Sequence, residues 1–182
     1  MNIIYGRIIL RALEKDDMEL LRETVNDPEM ERMVVGWSFP VSKSQQRAWY
    51  ERIMGDPRNQ RFAVEYNGQF VGISTLTDID LKNRSAFHGV KLTQDAPKGK
   101  GIGFDAVVAV MKYAFEELQL NRLYGGILEY NVPSQKLYAK CGWVEEGRYR
   151  QCVFKDNAYY DEIPVAILRS EYFEWKKMNN IE

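Results

Sequence analysis

The stretch that decides the fold is Val90–Leu118, VKLTQDAPKGKGIGFDAVVAVMKYAFEEL. It reads as the end of an apolar strand, a short polar turn carrying Gly99, Gly101 and Gly103, and a long helix. Phe104, Val107, Val108, Met111, Phe115 and Leu118 recur at offsets of three and four residues, so one helix face is apolar and is suited to lie on a sheet. The glycines therefore fall where the helix begins. There the first backbone N–H groups lack intrahelical partners and the aligned peptide dipoles leave partial positive charge, which attracts phosphate. Glycine admits positive φ and keeps a Cβ out of the path of a bulky anion, while Lys98 and Lys100 add full charges. The stretch reads as a pyrophosphate cradle.

Spacing separates the loops that could form such a cradle. A Walker A loop needs Gly-Lys followed by Ser or Thr, with a second glycine five residues before its Gly, and no Gly-Lys pair here fits. The dinucleotide fingerprint G-x-G-x-x-G fails because it would need glycine at Phe104 or at Ala106. What remains is Lys98-x-x-Gly101-x-Gly103. This resembles the acyl-CoA loop of the GNAT superfamily of N-acetyltransferases, Gln/Arg-x-x-Gly-x-Gly/Ala, with Lys98 in place of the usual first residue. A second segment, Asn131–Gly147 (NVPSQKLYAKCGWVEEG), resembles the next element of the same superfamily through Asn131, Leu137-Tyr138 and Gly142-Trp143. Its tail Val144-Glu145-Glu146-Gly147 is similar to the branch containing ribosomal-protein alanine and spermidine acetyltransferases. Arg7–Glu14 and Asn157–Leu168 look like that family's first and last strands, so the resemblance covers nearly the whole chain.

At 182 residues, with 45% apolar and 28% charged residues, the chain suits one globular domain over residues 1–182. A formal charge of −1, with basic residues scattered, offers no general attraction for nucleic acid or an anionic membrane, and neither is expected as a partner. No apolar run has the length of a membrane span, and Met1–Tyr5 does not open a signal peptide, so a cytoplasmic location is expected. Cys141, Cys152 and the single histidine, His88, give no metal-ligand spacing, so free thiols and no metal are expected.

Along the chain, Gly6–Leu13 reads as an opening strand, and Asp16-Asp17 introduce a helix ended by Asn26-Asp27-Pro28. Glu29–Gly36 is a short helix or turn, and Ser42–Met54 a helix. Arg61–Tyr66 and Gln69–Ile79 are strands joined at Asn67-Gly68, a strong hairpin signal. Arg84–Leu92 leads into the glycine loop and its helix. Arg122–Tyr130 is a strand, Pro133–Cys141 a short helix, Trp143–Phe154 with Tyr159–Leu168 a closing hairpin, and Glu171–Lys177 a terminal helix.

The resemblance implies an α/β fold of GNAT type: a mixed, mostly antiparallel sheet of about seven strands with a central splay and helices on both faces. It implies acetyl-CoA as cosubstrate and a primary amine as acceptor, either a peptide N-terminus or a small molecule such as an amino sugar or polyamine. Lys98, Gly99, Lys100, Gly101, Ile102, Gly103 and Phe104 would hold the pyrophosphate. Asn131 would bond to the pantetheine, with Leu92, Thr93 and Lys136 completing the cofactor contacts and a backbone N–H around Leu92 facing the thioester oxygen. Tyr138 matches the family's general acid, a phenol that keeps its proton at neutral pH and can give it to the leaving thiolate. For the base, His88 stands first and Glu129 second, with a water relay as a third course. Trp37, Phe39, Tyr159 and Tyr160 would wall the acceptor site, and Asp156, Asp161 and Glu162 could receive a cationic amine. Two other readings stay open: a non-catalytic acyl-CoA sensor of the same fold, and a different nucleotide-phosphate binder. A homodimer through the sheet edge or closing hairpin is compatible with the sequence.

Overall fold

The computed structural model describes residues 2–36 and 40–181. Its centre is α4 (Ile102–Lys112), whose Val107, Val108, Met111 and neighbours lose all contact with water. Each such side chain removed from water contributes about 1.5–3 kcal/mol, which makes this helix the main anchor of the core. The π-helical turn Tyr113–Glu117 extends it and carries the fully buried Phe115. The helix is thus interrupted before Leu118, and Gln119 at φ 52° turns the chain back toward the sheet.

The sheet contains β1 (Ile3–Tyr5), β2 (Ile8–Ala12), β3 (Gln60–Tyr66), β4 (Gln69–Asp80), β5 (Ser85–Leu92), β6 (Arg122–Leu128), β7 (Val144–Glu145), β8 (Tyr149–Lys155) and β9 (Ala158–Leu168). They lie in the order β1-β2-β3-β4-β5-β6-β9-β7, with β8 also on β9. All pairs are antiparallel except β5 with β6. Beside α4, α5 (Val132–Lys140) and α6 (Arg169–Met178) share one face with it, and their Tyr138, Tyr172 and Trp175 join its apolar cluster. On the other face α1 (Met18–Asn26) and α3 (Lys43–Ile53) pack Leu21 and Tyr50 on Ala63 and Ile73, with the short α2 (Pro28–Met33) between them. The expected α/β sheet with helices on both faces is found, with nine strands among the described residues.

Several boundaries differ from the sequence expectation. The opening strand is a hairpin, because Gly6 at φ +54° reverses the chain and a Cβ there would lie 2.6 Å from the Asp105 carboxylate. The strand expected over 143–154 is two pieces, β7 and β8, both pairing with β9, and Gly147 lies between them. The terminal helix begins earlier, at Arg169. No helix among the described residues is long and apolar enough to cross a membrane.

One glycine holds β4 against β5 by having no side chain: a Cβ on Gly72 would stand 2.3 Å from the Lys91 carbonyl oxygen. Because that neighbour is backbone, the two strands would have to part. Gly72→Ala is expected to cost about 1–3 kcal/mol, read as a lower midpoint in urea denaturation with an unchanged slope.

Candidate active site

β5 and β6 pair in parallel only at Ser85↔Arg122, Ala86↔Leu123 and Phe87↔Tyr124, and then diverge. Hydrogen bonds at both ends set which backbone groups face the resulting gap. Arg84 C=O accepts from Arg122 N–H at 3.2 Å, and Thr93 N–H donates across the other edge to Val71 C=O at 2.9 Å. Because a strand alternates the direction of its backbone groups, residues 87, 89 and 91 turn theirs toward β4. His88, Val90 and Leu92 then turn N–H and C=O toward the gap, where past Tyr124 β6 no longer pairs with β5. Such an edge can pair with an extended amide-bearing arm as an added strand.

The glycine loop sits near the end of this gap. Gly101, in left-handed conformation at φ 76°, caps α4 without a side chain, and Gly99 at φ +72° has open space where a Cβ would stand. Lys98, Gly99, Lys100 and Gly101 are exposed, whereas Ile102 is buried beneath them and Gly103 packs near Leu137. A cleft of about 710 Å³ is lined by Gly99, Lys100, Gly101, Phe104, Arg7 and Lys140, among others. Arg7 and Lys140 are additions that sequence reasoning missed. Arg7 donates through its backbone N–H (3.0 Å) and guanidinium (3.2 Å) to Asp105, which offsets the carboxylate in the first turn of α4. The Lys140 ammonium lies 4.7 Å from the centre of the Phe104 ring. No local pattern signals Arg7, whose relation to the loop depends on a contact spanning 98 residues. Open glycines, a helix terminus and several cations together fit a diphosphate.

On the α4 face of the gap, His88 and Tyr138 meet. The His88 Nδ1 lies 2.9 Å from the Tyr138 hydroxyl, and its Nε2 lies 3.4 Å from Ser74 Oγ. Trp143 packs against both rings. His88 is 2% exposed and Tyr138 7%. Burial lowers the imidazole to about 3, so it is neutral at physiological pH, and burial also raises the phenol well above its ordinary value.

The other proposed base stands apart. Glu129 accepts from Arg148 at 3.1 Å and from Asp161 N–H at 2.9 Å, and so ties β6 to the closing strands. Asn131 is buried and uses its carboxamide within the fold: Oδ1 caps α5 at Ser134 N–H (3.1 Å) and Nδ2 donates to Met33 C=O (2.8 Å). Lys136 is exposed on α5, and Thr93 closes the last turn of β5 onto Val71.

On the acceptor face the three carboxylates differ. Asp156 pairs with Arg32 at 2.8 Å, and Asp161 binds Arg148 and Gln151 N–H. Glu162 is different. A Cβ on Gly126 would lie 1.9 Å from Glu162 Oε1, so this carboxylate rests directly over β6 just beyond the point of divergence. The Cys152 thiol is its polar neighbour, at 3.9 Å, and burial holds its carboxyl above the ordinary value. Tyr160 shares this face and packs edge-on against Tyr130 at 4.8 Å. Tyr159 alternates to the opposite side, 64% exposed beside Phe154. Trp37 and Phe39 lie outside the described residues.

A gap in a sheet that opens beside a cation-lined helix terminus, with a buried phenol on one side and a half-buried carboxylate on the other, fits a site for acyl transfer from an extended, phosphate-bearing cosubstrate. Residues 7–144 match the Acetyltransferase (GNAT) domain model, and the chain belongs to that family. It is an N-acetyltransferase that uses acetyl-CoA. The SPbeta prophage-derived uncharacterized N-acetyltransferase YokL of Bacillus subtilis is 30% identical, covering 91% of this chain and 92% of its own length. The spermidine N(1)-acetyltransferase of Vibrio cholerae is 27% identical, covering 92% and 96%. A crystal structure of spermidine N-acetyltransferase from Vibrio cholerae in complex with CoA and spermine superposes with a TM-score of 0.85 at 26% identity, covering 92% of this chain and 98% of that one.

The neutral, buried His88 makes the fold sensitive to acid. As pH falls below the ordinary histidine value of 6.5, the unfolded chain takes up a proton that the native state refuses until about pH 3. The native state should therefore lose about 1.4 kcal/mol per pH unit on this account across that window, and none above it. His88→Gln should flatten the slope of unfolding free energy against pH between 6.5 and 3, measured by urea titration.

Proposed function

We propose that the enzyme transfers acetyl to a primary amine by direct attack within a ternary complex, with Tyr138 as the acid and Glu162 as the carboxylate that receives the amine's proton. The observation that carries this reading is the divergence of β5 and β6, with Tyr138 and His88 on one side and Glu162 over Gly126 on the other. Acetyl-CoA supplies the electrophilic carbonyl and a thiolate leaving group. Lys98, Gly99, Lys100, Gly101 and Gly103, with Arg7 and Lys140, hold the diphosphate, while Leu92 and Val90 offer N–H groups to the thioester oxygen.

Tyr138 can donate to sulfur only if its hydroxyl proton is not engaged by His88. With the imidazole proton on Nδ1, His88 donates to the phenol oxygen and Ser74 O–H donates to Nε2, which leaves Tyr138 O–H free to turn toward the gap. His88 thereby positions the acid. This replaces the expectation of His88 as the base toward the amine, because both its nitrogens are engaged within the fold. Glu129 is a weaker candidate for the same reason, since Arg148 and Asp161 N–H occupy its oxygens. Glu162, held above the usual carboxylate range, takes a proton more readily than an ordinary glutamate and so suits amine activation. Peptide N-termini, amino sugars and polyamines all offer the required amine, the last by likeness to the relatives named for spermidine. Exposed Tyr149, Phe154 and Tyr159 on the closing hairpin favour a homodimer there.

Thiol release from acetyl-CoA, followed with a panel of amines, tests the reading. Turnover is expected with at least one class, whereas stabilisation by acetyl-CoA without turnover would favour a sensor. Tyr138→Phe should lower kcat by about 10²-fold or more while acetyl-CoA binding persists. Glu162→Gln should remove the rise of kcat/KM with pH that ionisation of Glu162 produces in the parent enzyme.

A further inference from the structure

The face of the sheet opposite α4 holds a second cavity, of about 910 Å³, roofed by α1 and α3 and floored by β4 and β5. Val25, Trp49 and Phe87 form apolar walls. Its charged members are Arg52, Arg61 and Lys91, and none of the described lining residues is acidic. The cavity shares β5 with the gap: Phe87, Gly89 and Lys91 point into it, while the alternating His88 faces Tyr138. Continuing the register Phe87↔Tyr124 across the gap brings Lys91 level with Leu128, the β6 residue paired with Glu162 on β9. The cationic cavity and the amine-facing carboxylate thus flank the same opening.

Lys91 is half-buried and has no carboxylate partner among the described residues. The neighbouring charge that acts on it is another cation, Lys155, whose ammonium is already bound to Glu31 and to the Glu31 and Gly36 carbonyls. Arg61 lies over the Trp49 ring at 5.5 Å and donates to Asn59 C=O at 3.3 Å. Asp56 and Asp78 act on it from outside the cavity lining, and Arg52 opposes them from within. A half-buried, unmatched cation is costly unless an anion arrives to meet it. A polyamine, whose every charge is positive, would enter against these residues.

We infer that the acceptor is a primary amine that also carries a carboxylate or a phosphate, with the anion held by Lys91 and Arg61 and the amine facing Glu162. This rests on the acetyltransferase reading above. Burial and Lys155 also depress the Lys91 ammonium, consistent with a site that lacks its counter-charge. Trp49 and Phe87 supply flat walls for the body of the acceptor.

The test is calorimetric binding to the CoA-loaded enzyme, which keeps the diphosphate cleft occupied. Matched probes are glucosamine 6-phosphate against glucosamine, the dipeptide Ala-Glu against Ala-Gln, and spermidine. At least one anionic member should bind about tenfold tighter than its neutral twin, with spermidine weaker than both, and the favoured pair distinguishes phosphate from carboxylate. Lys91→Met should abolish that advantage while leaving the neutral twin's affinity in place. If Lys91→Met does not fold, Arg61→Gln and a steep loss of the advantage with added NaCl serve the same purpose. Equal affinity within both pairs, tightest binding of spermidine, or an advantage that survives Lys91→Met together with Arg61→Gln would overturn the inference. Absence of thiol release with every amine, alongside a preserved anion preference, would instead fail the catalytic reading alone.

Discussion

β5 and β6 fail to stay paired beyond Phe87 and Tyr124, and the arrangement of both faces of the sheet follows from that parting. A sheet interior normally satisfies every backbone N–H and C=O, so strands that part leave polar groups needing another partner. Here the open edge belongs to His88, Val90 and Leu92, whose backbone groups are placed to pair with an extended amide-bearing arm. Gly125 allows the close approach at the fork, since a Cβ there would stand 3.1 Å from His88 C=O. Gly126 then leaves room for Glu162 to lie across the strand.

The fork can persist because both flanks are held elsewhere. β5 is paired with β4 along its length, and β6 with β9 from Arg122↔Leu168 to Leu128↔Glu162. α4 covers the core from one side, and α1 with α3 covers it from the other. α5 is fixed at its start by Asn131, which both caps it and binds the end of α2, so Tyr138 is presented to His88 from a rigid element. Asn131 therefore acts first as a brace.

The alternation of a strand assigns the chemistry to two sides. Even-numbered residues of β5 face α4, where the interior is apolar and a neutral imidazole and phenol are the stable forms. Odd-numbered residues face the cavity under α1 and α3, where cations stand half-hydrated. The buried His88–Tyr138 pair and the cationic cavity are thus separated by the thickness of one sheet, with Glu162 over β6 near the fork. The likeness to spermidine acetyltransferases extends over the fold, but the charge in this cavity has the opposite sign from what a polycation would seek.

The class of fold, the order of most elements and the position of the glycine loop at the start of α4 were legible in the chain alone, because these are carried by local periodicity and by short spacings. Periodicity also identified the core face of α4, since apolar offsets of three and four are a property of the segment alone. Packing between distant segments made the first strand a hairpin over Asp105, set Arg7 over the loop and turned His88 inward to Tyr138. It likewise separated Glu129, satisfied by Arg148, from Glu162, which composition could not distinguish from it. Ionisation state and partner depend on which distant side chains share a site and how much water remains there. Those are set by packing between segments that lie anywhere from 10 to 98 residues apart in the chain, where no local pattern carries information.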